Sequence, residues 1–110
     1  MSVKRVSTPA EFGQQLLPEG ITLVDFDAPW CPPCKVLGPL LDQLHEDYKG
    51  TLNLVKVNCD ESPELASTYG IMSLPTVIMF QNGEPVEKLV GLRPREAYDR
   101  IIEKYHLVHE

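Results

Sequence analysis

Two thiols separated by two prolines occupy the stretch WCPPC, residues 30 to 34. Cysteines at this spacing serve three chemistries: a structural clip, half of a metal site, or a disulfide that opens and closes. A bridge between Cys31 and Cys34 closes so small a loop that it removes little entropy from the unfolded chain, so it is a poor clip. Zinc is poorly served too. No second close-spaced cysteine pair follows, and Cys59, His45, His106 and His109 form no zinc-spaced cluster with the pair. Three cysteines, an odd count in a chain with no visible export signal, also argue against a disulfide framework. Reversible thiol–disulfide exchange explains the arrangement best, and it accounts for the prolines.

The first turn of a helix has backbone N–H groups without intrahelical partners, so a proline there loses no hydrogen bond. Pro32 fits the first helical position with Cys31 as N-cap, and Pro33 restrains the turn further. The free N–H groups and the helix dipole favour a negative sulfur at Cys31. Cys31 is therefore expected at an exposed helix end and Cys34 one turn in, half-sheltered. Two charges interrupt apolar strands elsewhere: Asp25 in ITLVDFD and Lys56 in LVKV. A buried charge is expensive unless paired or neutralised, so each either points to solvent at a strand end or has a function.

These residues need a frame. The chain has 110 residues, of which 43% are apolar, enough for one domain (1–110) and one core without staples. A net charge of −6 argues against binding to nucleic acid or anionic lipid and fits a soluble protein. No apolar run approaches a membrane span. The opening MSVKRVSTPAEF has two basic residues but no apolar stretch behind them, so a secretory signal is not expected and a cytoplasmic location is.

Strands are expected over 3–6, 21–26, 52–57, 76–80 and 86–90, from apolar runs bounded by turn residues. Thr8-Pro9-Ala10-Glu11 opens a helix with a capping box, and Ser62-Pro63 opens another by the same cap-then-proline logic. Val36, Leu40, Leu44 and Tyr48, flanked by Leu37 and Leu41, mark the apolar edge of a helix from the cysteines to near Gly50. Tyr98, Ile101, Ile102 and Tyr105 mark a last one. Asn82-Gly83 signals a hairpin between the final strands. The order is an α/β pattern: parallel strands joined by helical crossovers, then an antiparallel hairpin.

With these elements in place, VDFDAPWCPPCK resembles the active-site segment of the thioredoxin family, and YGIMSLPTVIMFQNGEPV resembles the family's proline loop and following hairpin. VKVNCDESPELASTYGI and LVGLRP also fit, in order, over nearly the whole chain. The resemblance implies the thioredoxin fold, with a central mixed, mainly parallel five-stranded sheet flanked by four helices. It implies a protein-disulfide reductase with Cys31 as nucleophile and Cys34 as resolving thiol. It places Asp25 beneath the pair, where a desolvated carboxyl would accept the Cys34 proton through water, with Lys56 tempering it. It makes Leu74-Pro75 a cis-proline loop offering backbone to an extended substrate, with Trp30 and Gly91 completing an apolar rim. Disulfide-containing proteins are the implied partners, and a flavin-dependent, NADPH-fed thioredoxin reductase the implied electron source. No bound cofactor or metal is expected, and the chain is expected to act as a monomer.

The sequence departs from the family at two places. Asp27 stands where the family commonly has tryptophan, on the same strand face as Asp25; it is either a second carboxylate at the site or a solvated strand end. Cys-Pro-Pro-Cys stands where Cys-Gly-Pro-Cys is usual, so Pro32 and Pro33 are expected to tune the redox pair. Cys59 has no motif role and is expected to be inert. The alternatives are a disulfide oxidase or isomerase, and a non-catalytic interaction module of the same fold.

Overall fold

The computed structural model describes residues 3–108, so His109 lies outside it. Its elements are β1 (Lys4–Val6), α1 (Pro9–Gln15), β2 (Ile21–Asp27), α2 (Pro32–Asp47), β3 (Leu52–Asn58), α3 (Pro63–Thr68), β4 (Thr76–Gln81), β5 (Glu84–Val90) and α4 (Arg95–Val108). The five strands form one sheet in the order β1-β3-β2-β4-β5. Ladders β1–β3 and β2–β3 are parallel, whereas β2–β4 and β4–β5 are antiparallel. The expected mainly parallel sheet is thus evenly divided, because β4 enters beside β2 in the opposite direction and β5 folds back on it as a hairpin.

Alternation along the strands sorts the core into two layers. Ile21, Leu23, Leu52 and Leu54 face Leu37, Leu41 and Leu44 of α2 and Tyr98 and Ile102 of α4. Val24, Phe26, Val55 and Val57 face Phe12 of α1 and Leu65 of α3 on the other side. The apolar stripe of α2 runs through Cys34, Leu37, Leu41 and Leu44, and Val36 is exposed. A row of residues four apart drifts by about 40° per step around a helix. Its first member, Val36, has therefore turned to solvent.

Local chemistry sets the element ends. The Thr8 hydroxyl accepts from the Glu11 N–H at 3.2 Å while the Glu11 carboxylate accepts from the Thr8 N–H at 3.1 Å, a complete capping box. Thr8→Ala should lower stability by about 1 kcal/mol, read as a lower urea midpoint with an unchanged slope. Ser62 behaves differently from expectation. It occupies the N-cap of α3 but makes no side-chain cap; its hydroxyl donates instead to the Ser7 carbonyl and ties α3 to the end of β1. Asn82 and Gly83 both take positive φ, 53° and 86°, as a tight turn between twisted strands demands. Asn82 and Gly20 also exchange hydrogen bonds at 2.9 Å, anchoring the hairpin to the start of β2.

Candidate active site

The site lies where β2 ends and α2 begins. Cys31 and Cys34 are joined by a disulfide, with Cα atoms 5.3 Å apart. Pro32 and Pro33 fill the first turn of α2 and are exposed. Cys31 is the N-cap: its Sγ accepts the Cys34 N–H at 3.3 Å, so the sulfur takes one of the otherwise unpaired donors of the helix end.

The expected exposure is corrected. Cys31 is only 3% exposed and Cys34 7%, so the first thiol is no more open than the second. The bond to Cys34 and the contact with its N–H turn the Cys31 sulfur inward, and Ala28 and Leu74 pack against the pair. The neighbours on either side, Trp30 and Pro32, are exposed.

Around the pair stand the residues expected to form a docking rim. The Leu74–Pro75 bond is cis, and Pro75 is buried beneath half-buried Leu74. The Pro75 carbonyl accepts the Gly91 N–H at 2.8 Å, which joins the two loops; Gly91 adopts φ 83°, a conformation suited to glycine. Trp30 is 66% exposed, and its indole N–H donates to Asp60 at 2.9 Å, which orients the ring. Trp30, Leu74, Ile71 and Met72 line an apolar hollow of about 330 Å³. Sequence reasoning missed Met72, which is almost fully exposed. Its signal was an apolar residue just ahead of the proline loop in YGIMSLP. Cys59 lines the same hollow, and burial, followed by the negative charge of Asp27, pushes its thiol up to about 11. It is protonated near neutral pH and a weak nucleophile.

Behind the pair the sheet carries a row of charge. Register places Arg5 beside Lys56 and Lys56 beside Asp25, all on the face covered by α2 and α4. Asp25 is 1% exposed, and neither carboxylate oxygen has a hydrogen-bond partner among the described residues. Desolvation, reinforced by the Asp27 carboxylate and opposed by Lys56 and Arg5, raises its pKa to about 7. Lys56 lies next to Asp25 but forms its ion pair with Asp42 of α2, at 2.9 Å.

Asp27, at the end of β2, is neither free nor fully solvated. Its two oxygens accept from the two terminal nitrogens of Arg5, each at 3.3 Å. Arg5, Asp27, Lys56, Asp42 and Cys34 line a polar groove of about 400 Å³ that opens onto the pair at Cys34. Arg5 and Asp42 were not identified from the sequence, since nothing in a three-residue strand or an exposed helical face marks such partners. Tyr98 of α4 was read only as core; its hydroxyl is buried without a partner among the described residues. Burial, followed by the Asp25 charge, raises its pKa to about 12.

The family model for thioredoxin matches residues 3–104. A thioredoxin of Staphylococcus saprophyticus is 48% identical over 86 residues, covering 78% of this chain and 83% of the relative. A thioredoxin of Staphylococcus aureus is 41% identical over 105 residues, covering 96% and 99%. Among solved structures, a mutant thioredoxin from Halobacterium salinarum superimposes with a TM-score of 0.87 at 35% identity, covering 94% of this chain and 90% of that one. Plasmodium falciparum thioredoxin gives 0.84 at 34%, covering 93% and 98%.

Proposed function

The chain belongs to the thioredoxin family and is a thiol–disulfide oxidoreductase that reduces protein disulfides; we propose that Cys31 is its nucleophile, Cys34 its resolving thiol and the pair its only redox group. The observation that carries this reading is the Cys31 sulfur seated as N-cap of α2, accepting the Cys34 N–H. A thiolate there gains a hydrogen bond and the positive end of the helix, and so is populated nearer neutral pH than a free thiol.

The cycle begins from the dithiol. The Cys31 thiolate attacks one sulfur of a substrate disulfide, forming a mixed disulfide; the other substrate sulfur leaves as a thiolate and takes a proton from solvent. Cys34 then yields its proton to Asp25 through water and attacks the Cys31 sulfur. The Cys31–Cys34 bond forms, the second substrate sulfur is released, and two electrons have passed to the substrate. Asp25 suits the task because its pKa lies near the working pH, as an efficient proton acceptor requires. Exposed Trp30 and Pro32 flank Cys31, so a substrate disulfide approaches its sulfur between them while the sulfur keeps its N-cap contact.

The substrate is a protein segment in extended form. It pairs with the backbone of Leu74 at the cis-proline loop and rests apolar side chains on Trp30 and Met72, with Gly91 leaving room beside them. Pro32 and Pro33 stiffen the turn between the sulfurs and so tune the redox pair. The oxidised protein is returned to the dithiol by a flavin-dependent, NADPH-fed reductase in the cytoplasm, and the working unit is a monomer of one domain.

Cys34→Ser tests the assignment. This variant should accumulate mixed disulfides through Cys31 when mixed with oxidised substrate protein, released by added dithiol and seen as a mass increase on Cys31. Trapping through Cys59 instead, or no trapping at all, would remove Cys31 from the nucleophile's role.

A further inference from the structure

The Arg5–Asp27 pair is a two-point charged contact at the site that the exchange cycle leaves unused. Arg5 belongs to the edge strand β1, and 22 residues separate it from Asp27. Its guanidinium spans both carboxylate oxygens, a fork that lysine cannot supply. Asp27 is two residues beyond Asp25 on the same face of β2, so the two carboxylates are roughly 7 Å apart along the strand. Asp27 also lines the polar groove at Cys34.

We propose that Arg5 is a positioning residue for proton transfer at Cys34: it grips Asp27 and offsets part of a negative charge that would otherwise act in full on Asp25 and on the sulfurs. Every element packed around Asp25 contributes to the balance. Lys56 and Arg5 come from β3 and β1, Asp27 from β2 itself, Asp42 from α2 and the Tyr98 hydroxyl from α4; β4 contributes apolar Val77. Lys56 is already engaged by Asp42. Arg5 is therefore the cation that answers Asp27. The Arg5 side chain is 50% exposed and that of Asp27 15%, so the pair adds little to stability, and its effect is on the charge seen by the site.

The role of Arg5 rests on Asp25 being the acceptor of the Cys34 proton, and the two can be tested apart. The Asp25 carboxyl is titrated by carbon NMR in the oxidised protein, where neither active-site cysteine titrates. Arg5→Gln should raise the Asp25 midpoint by on the order of one pH unit, less at high salt. Arg5→Lys should restore part of that shift, and Arg5→Gln/Asp27→Asn, which deletes the pair as a unit, should bring the midpoint back to its starting value or below it, because Asp27 raises the Asp25 pKa more than Arg5 lowers it. The pH profile of the resolving step should move with the midpoint in each variant. An unmoved midpoint in Arg5→Gln, or a double variant that keeps the single variant's shift, would overturn the clamp. If midpoints move as stated while the resolving profile stays put, and Asp25→Asn also leaves that profile unchanged, the failure lies with Asp25 as acceptor.

Discussion

Cys31→Ser abolishes the reduction of insulin disulfides, with a loss of at least about 10³-fold, the scale on which nucleophile replacements act. A serine hydroxyl in the same N-cap position still accepts the Cys34 N–H, so the fold and helix start are kept. What is lost is a sulfur able to ionise near neutral pH and to form a bond to another sulfur. Far-ultraviolet circular dichroism and the urea midpoint of the variant, compared with the reduced parent protein, check that structure survives. Retained reductase activity would mean that the reducing thiol lies elsewhere. A partner-binding activity that persists unchanged without Cys31 would favour a non-catalytic role for the fold.

Asp25→Asn makes the protein more stable at pH 8 by on the order of 4 kcal/mol and changes little at pH 4, since that is the size of the proton linkage at this carboxyl. The sign follows from the raised pKa. Below the ordinary aspartate value of 3.8, folded and unfolded chains both hold the proton. As pH rises, the unfolded chain releases it first, whereas the folded chain keeps it until about 7. Stability therefore falls across that interval and is level above it, by about 1.4 kcal/mol for each of roughly three units. A neutral amide of the same shape removes the loss. Urea unfolding of the oxidised protein at pH 4 and pH 8 measures it, and a variant as pH-sensitive as the parent would refute the buried-carboxylate account. The same substitution slows the resolving step by about 10² or more, since a positioned base contributes on that scale. Single-turnover kinetics should show mixed-disulfide formation nearly unchanged and release delayed. On the proposed mechanism, the protein keeps a destabilising carboxyl because exchange uses it.

Much of the architecture was legible because it rests on local rules. The Thr8–Glu11 box, the prolines at the first positions of α1, α2 and α3, and the Asn82-Gly83 turn are decided within four or five residues. Backbone sterics and hydrogen-bond geometry act there whatever the rest of the chain does. The rule fails where a distant group competes, as when the Ser62 hydroxyl leaves its own helix for the Ser7 carbonyl. Asp25 and Lys56 stood out by the same logic that finds strands, because a charge within an apolar run is a cost requiring an explanation. Their partners were not legible. Lys56 pairs with Asp42 across the gap to α2, and Asp27 with Arg5 across the intervening strand β3.

The redox pair, the helix that begins on it, the two misplaced charges and the hairpin could all be read from the residues in order, since each follows from short-range stereochemistry or from the period of apolar positions. No such reading could show that the Cys31 sulfur is turned inward, that Met72 stands in the open or that Arg5 reaches Asp27. Burial and charge pairing depend on which strands and loops become neighbours. A long side chain is committed to a partner only when sheet order brings one within reach.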